Sequence, residues 1–263
     1  KTSHIKLIDY IQGVAEKKSE NEVRKTVLHA VVYHLRRYDP NDTLLSRIDK
    51  DYILGFLDYL KTAKQTHTKK EKLLHVNTQV YYYKMLRYCL NYAVSEELIS
   101  ANPMNKIKNE EKPHKHRTER EYLTIDEIRK LAQTPFYNAL LKKAFLFSCF
   151  CGLRHSDIIA LTWGNIEMDE EGNSRLHIIQ KKTKEAISLP LSQEAIKQLP
   201  QRENAKDGDI IFKKLITLGR TNEILPKWAE QAGIKKHITF HTARHTHATL
   251  LLTFGVDLYT VSK

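Results

Sequence analysis

The chain has 263 residues, of which 41% are hydrophobic, and a formal charge of +12 from 43 Lys and Arg against 31 Asp and Glu. This length and apolar content are sufficient for a buried core, either in one large domain or in two smaller ones. The sequence contains no charged-then-apolar leader and no apolar run near the roughly 18 residues that a membrane span requires, so we expect a soluble, cytoplasmic protein without a membrane partner.

The three cysteines, Cys89, Cys149 and Cys151, lie in apolar stretches and form no CxxC pair. An odd number of such residues is typical of a reducing compartment and not of a secreted disulfide framework.

The excess positive charge favours a polyanionic partner, and nucleic acid is the leading candidate. The simpler interpretation is an enzyme that is basic without binding nucleic acid. Residues 1–105 carry 17 basic and 12 acidic side chains, and residues 106–263 carry 26 and 19. Because both parts share the excess, the distribution favours a protein that holds its partner with two bodies.

Residues 1–105 are predicted to form a small helical bundle. Apolar residues recur at three-and-four spacing in VRKTVLHAVVYHLRRY, in DKDYILGFLDYLKT and in the stretch that begins at Asn77. Asn77 or Thr78 can cap the last of these helices, and Pro103 stops the chain after it. Residues 106–122 are almost free of apolar side chains and are predicted to be a linker.

Residues 123–263 are predicted to form a second body of mixed structure. Thr124 with Glu127 three positions on indicates a capping box, and Gly152 indicates the end of an apolar helix. A short helix is predicted near Ser156, and the stretch SRLHIIQKKTKEAISLPL indicates a hairpin with KKTK at or near its tip. Asp257 is expected to cap a further helix. The fold class is therefore mainly α with a small antiparallel β-sheet.

Four residues of the second body form a set that can act on a phosphate. Arg154 stands before a helix, Lys182 lies near a hairpin tip, and His241 and Arg244 are one helical turn apart. Arginine binds two phosphate oxygens at once, and lysine or histidine can transfer a proton. Such a set needs no metal or other cofactor.

Each of these residues also has a simpler interpretation. His241 and His245 are spaced for zinc, as in a metal-dependent hydrolase, but the glutamate of HExxH is absent and no Cys or carboxylate cluster is close in sequence. Lys182 stands among Lys181 and Lys184, which is typical of a solvated turn, and Arg154 alone is typical of a surface residue beside a helix.

Three separated motifs, CGLRHSDIIALTWGNI, QKKTKEAISLPL and HTARHTHATLLLTFGVDLYTVSK, resemble in order those of the tyrosine recombinases, the phage-integrase family, and in particular integrases of bacterial mobile elements. The resemblance implies a helical core-binding (SAM-like) domain over 1–105, the linker, and a catalytic domain over 123–263. It implies a clamp on duplex DNA, a tetramer in the DNA synapse, a monomer when free, and a location at the bacterial nucleoid. A non-catalytic DNA-binding or regulatory protein on the same scaffold is the alternative.

The resemblance makes Arg154, His241 and Arg244 catalytic, and makes Lys182 the acid for the leaving 5′ oxygen, with Lys181 and Lys184 as rivals. It gives supporting roles to Asp157, which orients the site by hydrogen bonding, and to His245, which packs behind it. His237 and His247 receive no role. Of the four histidines between His237 and His247, only His241 is thus interpreted as acting on the phosphate.

The family sequence continues beyond the residues that match here, to a tyrosine that forms a 3′-phosphotyrosyl bond. Tyr259 matches an ordinary position before that tyrosine. We therefore expect the chain to be incomplete at its C-terminus, without the nucleophile, and to bind DNA without cleaving it. The basic stretches THTKKEKLL and KPHKHRTER are expected to contact DNA through Lys69, Lys70, Lys115 and Arg117, although solvated loops are an equal alternative.

Overall fold

The computed structural model describes residues 4–17, 21–66, 71–116, 119–171 and 173–257. Its internal contacts divide the chain into two compact units, Lys1–Thr118 and Glu119–Lys263. The predicted fold class is confirmed, because the described elements are mainly helices with one three-stranded antiparallel sheet.

Among its described residues, the first unit contains four α-helices: α1 (Leu7–Lys17), α2 (Glu22–Tyr38), α3 (Lys50–Thr62) and α4 (Val76–Ser95). Helix α2 packs against α1, α3 and α4. Its apolar side chains recur on one face, and Leu28, Val31 and Leu35 are fully buried there. The helical periodicity of the sequence therefore corresponds to a single core.

The predicted cap of α4 is wrong, because the helix begins one residue before Asn77. The imidazole Nδ1 of His75 accepts a hydrogen bond of 3.1 Å from the backbone N–H of Asn77. The Asn77 side chain instead bonds the backbone of His116, donating to its carbonyl at 3.0 Å and accepting from its N–H at 2.9 Å. Its amide is therefore engaged with a distant segment.

Part of the predicted linker packs against the first unit. Ile107 is buried in the core of that unit beside Met104, which precedes the linker, and the Lys50 ammonium lies 2.7 Å from a carboxylate oxygen of Glu111. Together with the bonds of Asn77 to His116, these contacts hold residues 104–116 on the helical bundle.

The second unit combines six α-helices with the sheet among its described residues. The helices are α5 (Ile125–Gln133), α6 (Ala139–Cys151), α7 (His155–Ile158), α8 (Gln193–Ile196), α9 (Leu218–Gln231) and α10 (Phe240–Thr253). The strands are β1 (Ile166–Met168), β2 (Ser174–Ile179) and β3 (Ala186–Pro190), in the order β1-β2-β3.

Helix α6 is the centre of this unit. Phe145 and Phe147 are fully buried, and Trp228 from α9 meets Phe145 edge to face with ring centroids 5.9 Å apart. Helix α10 packs along α6. Apart from Lys142 and Lys143, α6 is apolar, so most of its surface packs against neighbours, and α10 covers one side of it.

The predicted capping box and helix end are both present. The Thr124 hydroxyl accepts from the Glu127 N–H at 3.2 Å, and the Glu127 carboxylate accepts from the Thr124 N–H at 2.8 Å. Gly152 ends α6 in the left-handed region at φ 69°. The helix predicted near Ser156 begins at His155, and the residues expected to form a helix after Asp257 lie outside the described ranges.

The predicted hairpin is formed by β2 and β3, with Ile179 paired to Ala186 as the last pair. Residues 180–185 make the turn, so KKTK lies at its tip as expected. Strand residue Leu176 is fully buried against the helices, whereas the four residues of the tip are exposed.

All three cysteines are buried and unpaired. Burial raises the pKa of the Cys89 thiol to about 12. In the part of the chain that the structure describes, no helix is both long enough and apolar enough to cross a bilayer.

Candidate functional site

Arg244 is positioned by the close approach of α10 to the end of α6. Its guanidinium Nη1 donates a 2.7 Å hydrogen bond to the carbonyl oxygen of Gly152. A β-carbon on Gly152 would lie 2.6 Å from Cδ2 of His247, so only glycine allows this approach. The half-buried Arg244 therefore lies beside the turn that leads to Arg154.

Arg154 occupies the position before the first residue of α7, and its side chain reaches the β2–β3 hairpin. Its Nη1 donates to the side-chain oxygen Oε1 of Gln180. The two guanidiniums are close enough that Arg154, after burial, lowers the pKa of Arg244, while Asp157 opposes this effect. The structure thus brings the two predicted arginines together.

His241 lies one turn before Arg244 on α10 and is exposed. Partial loss of hydration lowers its pKa, and the positive charges of Arg244, Arg120, Arg154 and Lys182 lower it further. The imidazole is therefore neutral at pH 7 when no anion is present, and it lies within the electrostatic reach of four cations.

Lys182 stands at the exposed hairpin tip, between two residues that are tied to the site. The backbone N–H of Lys181 donates to Asp157 Oδ1 at 3.0 Å, and the Thr183 hydroxyl donates to Gln180 Oε1 at 2.9 Å. Lys181 and Lys184 are exposed as well, and Lys184 adopts a positive φ of 62°. We call Arg154, Lys182, His241 and Arg244, with the Gly152 carbonyl, the cationic corner.

The two predicted supporting residues lie behind this corner. Asp157 is 6% exposed and accepts from the Lys181 N–H, so it ties α7 to the hairpin. The His245 ring meets the His241 ring at 86° with centroids 4.6 Å apart. Burial and then His241 lower the pKa of His245.

The remaining predicted residues lie elsewhere. Lys115 is exposed in the first unit, beside the His116 that bonds Asn77. Lys69, Lys70, Arg117 and Tyr259 lie outside the described residues. His237 is exposed, whereas His247 packs against Gly152, and burial lowers its pKa.

Sequence reasoning missed Gln180 and Arg120. Gln180 is 2% exposed and holds Arg154, and its only signal in the sequence is a polar residue between an apolar strand and a basic turn. Arg120 has no local signal, and its effect on the pKa of His241 arises from tertiary structure.

The arrangement of the cationic corner suits the binding of an anionic phosphate. Two guanidiniums supply paired donors, and a flexible ammonium and a neutral imidazole supply groups that exchange protons. Across the described ranges, no group of three or more His, Cys, Asp and Glu side chains is arranged to hold a metal ion.

Two family profiles match the chain: the phage integrase SAM-like domain over residues 6–125 and the phage integrase family over residues 121–263. Tyrosine recombinase XerC of Pelotomaculum thermopropionicum is 23% identical over 96% of this chain and 85% of its own length. The XerC-like tyrosine recombinase of Caldanaerobacter subterraneus subsp. tengcongensis is 26% identical over 79% of this chain and 68% of its own.

Two solved structures have a similar fold. The Tn1549 transposon integrase in complex with circular intermediate DNA superimposes with a TM-score of 0.74 at 16% identity, covering 98% of this chain and 90% of that one. A lambda integrase tetramer bound to a Holliday junction gives 0.71 at 17% identity, covering 97% and 74%. On the evidence of the two profiles, the chain belongs to the phage integrase family of tyrosine recombinases.

Proposed function

We propose that this protein acts in site-specific recombination of duplex DNA, as an integrase that cleaves and rejoins strands through a 3′-phosphotyrosyl intermediate. The observation that carries the proposal is the cationic corner, where Arg154 before α7 and Arg244 on α10 are held by Gln180 and by the Gly152 carbonyl, close enough for the charge of Arg154 to lower the pKa of Arg244. Two like charges held this close repel each other, and an anion between them relieves that repulsion. A phosphodiester of the DNA backbone is the anion that fits the family.

In this proposal the two arginines bind the non-bridging oxygens of the scissile phosphate. They stabilise the additional negative charge that develops there as the phosphorus becomes five-coordinate. The Gly152 carbonyl and Gln180 hold the guanidiniums in place before DNA arrives, so little reorganisation is needed.

Lys182 and His241 are proposed to handle protons. The exposed hairpin tip allows the Lys182 ammonium to reach the leaving 5′ oxygen and donate a proton to it. His241 is neutral at pH 7 because its pKa is lowered, so it can accept a proton or hydrogen-bond a phosphate oxygen. Asp157 acts by holding the hairpin, through the Lys181 N–H, and not by touching DNA.

The first unit is proposed to be the DNA-binding partner of the catalytic unit, with residues 1–105 as the core-binding domain, 106–122 as the linker and 123–263 as the catalytic domain. Helix α4 supports this, since the exposed Tyr81 and Lys84 and the partly buried Tyr88 recur on one face at helical spacing. The Arg24 guanidinium lies 4.8 Å from the Tyr88 ring centroid, which adds a cation to the same face. Basic and aromatic side chains in one row suit contacts with a phosphate backbone.

Duplex DNA is the proposed partner, with a homotetramer on the synapsed DNA and a monomer in its absence. The similarity to a lambda integrase tetramer bound to a Holliday junction supports this assembly. A DNA partner also supports a location at the nucleoid.

The nucleophile is proposed to be a tyrosine other than Tyr259, because the order of the family motifs assigns Tyr259 to the helix before it. Two tyrosines of the second unit are described, and both rings contact residues outside the cationic corner. The Lys236 ammonium lies 5.3 Å from the Tyr122 ring centroid, and the Tyr137 ring packs 5.1 Å from that of Phe136. The 263-residue chain is therefore proposed to bind DNA without becoming joined to it.

Selection of duplexes from a random-sequence pool tests the DNA-binding part of the proposal. The selected duplex should bind with an affinity that falls steeply with added salt, because each neutralised phosphate releases a counterion. Lys84→Ala in the first unit and Arg244→Ala in the second should each weaken binding, whereas Lys213→Ala, an exposed cation on a separate loop, is the matched control. Binding that is independent of salt, or insensitive to changes in one of the units, would contradict the two-body proposal.

A further inference from the structure

Gln180 is a buried polar residue at the end of β2, where the hairpin turn begins. It is 2% exposed, although the lysines that follow it are all exposed. Its backbone groups are both used by the turn, with its N–H donating to the Glu185 carbonyl at 2.8 Å and its carbonyl accepting from the Lys184 N–H at 2.9 Å. These two bonds fix the backbone of Gln180, and so they fix the point from which its side chain extends.

The side-chain oxygen of Gln180 joins Arg154 to the hairpin tip. Oε1 accepts from Arg154 Nη1 and from the Thr183 hydroxyl. An arginine side chain has several rotatable bonds, and a hydrogen bond from a charged donor is among the stronger ones available to hold it. Arg154 is half-buried, so the bond to Gln180 restricts a group that solvent would otherwise leave mobile.

The other polar atom of this amide reduces what Gln180 contributes to stability. Its Nε2 is buried and has no hydrogen-bond partner among the described residues, and the same is true of Asp157 Oδ2 nearby in the site. A buried donor without a partner destabilises the folded state by roughly 1–3 kcal/mol. An apolar side chain of similar size would avoid that cost but would leave Arg154 Nη1 and the Thr183 hydroxyl without their acceptor, so the glutamine is explained by what its oxygen holds.

We propose that Gln180 is a positioning residue, which holds the Arg154 guanidinium in its phosphate-binding orientation and couples it to the turn that carries Lys182. This inference rests on the proposed function, since it assigns Arg154 to the phosphate. Gln180 itself touches neither phosphate nor DNA. It acts through Arg154, and the Asp157 bond to the Lys181 N–H is a second fastening of the same turn to α7.

The first test is spectroscopic and uses the 263-residue chain without DNA. In nitrogen-15 NMR, rotation of the Arg154 guanidinium should be slow, because Nη1 is held by Oε1. Gln180→Leu and Gln180→Asn, which remove or withdraw the acceptor, should both speed this rotation. Gln180→Glu, which keeps an acceptor at the same place, should leave it slow, and Thr183→Val is the control that removes only the hydroxyl donor. Rapid rotation in the unchanged chain, or slow rotation in the Leu and Asn variants, would overturn the proposal.

The second test uses inorganic phosphate as the probe and the His241 imidazole signal as the reporter. Phosphate bound at the cationic corner should raise the pKa of His241, and Gln180→Leu should weaken the apparent affinity about tenfold, as expected for one hydrogen bond to a charged group. The free energy of unfolding of this variant should change little, because losing the two bonds to Oε1 is offset by removing the unpaired Nε2. Gln180→Asn gives the same comparison if the Leu variant fails to fold.

Two further variants separate the failure of this inference from the failure of the proposed function. If Arg154→Ala and Arg244→Ala weaken the phosphate response but the Gln180 variants do not, the positioning role is wrong and the phosphate site stands. If neither arginine variant changes the response, or the unchanged chain shows none, the phosphate site is wrong and the role of Gln180 falls with it.

Discussion

Arg244 donates a 2.7 Å hydrogen bond to the carbonyl oxygen of Gly152, the residue that ends α6 in the left-handed region. This bond ties α10 to the turn between α6 and α7. Because Arg154 follows Gly152 by two residues, the same turn determines where both arginines lie. The shape of one helix end therefore sets the spacing of the cationic corner.

Replacing Gly152 by alanine should destabilise the second unit. The added β-carbon would meet His247 Cδ2 at 2.6 Å, and alanine is strained at φ 69°. We expect the free energy of unfolding to fall by about 1–3 kcal/mol. Gly219→Ala in α9 is the matched control, since a β-carbon there meets no described atom within 4 Å and helix propensity favours alanine. Denaturant unfolding monitored by the fluorescence of Trp163 and Trp228, both in the second unit, checks both variants, and equal stability of the two would contradict the packing argument.

Lys182→Ala should slow strand cleavage by roughly 10²–10⁴-fold in a polypeptide that includes the attacking tyrosine, while weakening DNA binding much less. The reason is that a proton donor to the leaving oxygen acts in the transition state. A substrate with sulfur at the leaving 5′ position scarcely needs that proton, so it should restore much of the rate. Lys181→Ala and Lys184→Ala are the controls, and a defect that sulfur rescues in either of them would assign the acid there.

Acid should destabilise the first unit through His34, which is 1% exposed and has an Nε2 without a partner among the described residues. Burial lowers its pKa to about 4, so between about pH 6.5 and pH 4 His34 is protonated in the unfolded chain but neutral in the folded chain. The free energy of unfolding should therefore fall as the pH decreases from about 6.5 to about 4, by on the order of 3 kcal/mol in total.

Hydrogen exchange of α2 amides at pH 7 and pH 4.5 measures this loss. His34→Leu should reduce the difference between the two pH values, whereas His237→Gln, an exposed histidine of the second unit, should leave it unchanged. A pH dependence that persists fully in His34→Leu would assign the effect to other groups.

The 263-residue chain should bind a nicked suicide duplex without a covalent bond. The residues proposed to bind the phosphate and the residue proposed to attack it are different, so binding does not require the nucleophile. Denaturing electrophoresis after incubation should show no protein–DNA band. A band that disappears with Tyr259→Phe would make Tyr259 the nucleophile and overturn its assignment.

Much of the fold follows from local sequence patterns. The capping box at Thr124 and Glu127, the helix end at Gly152 and the hairpin with KKTK at its tip were all predicted, because each depends on residues close in sequence. The cap of α4 could not be predicted in this way. Asn77 is a good capping residue, but its amide bonds His116, 39 positions away, and His75 replaces it.

The candidate site was predicted as a set of residues but not as a set of contacts. Motif order proposes Arg154, Lys182, His241 and Arg244 as site residues, whereas the acceptors that hold the two arginines, Gln180 and the Gly152 carbonyl, are determined by tertiary packing. A backbone carbonyl has no signature in a sequence. The burial of a glutamine beside exposed lysines likewise cannot be recognised from the sequence, because it depends on the folded turn.

The most direct test of the central claim, that Arg154 and Arg244 bind the scissile phosphate, is a methylphosphonate scan of the selected duplex. Each backbone phosphate is replaced in turn by its neutral analogue, and affinity is measured for the unchanged chain, Arg154→Ala and Arg244→Ala. We predict one position on each strand where neutralisation weakens binding of the unchanged chain but has little further effect on either variant. The reason is that removing the phosphate charge and removing the guanidinium abolish the same interaction, so the two losses do not add. If every position weakens all three proteins equally, the two arginines do not share a phosphate and the proposed site is wrong.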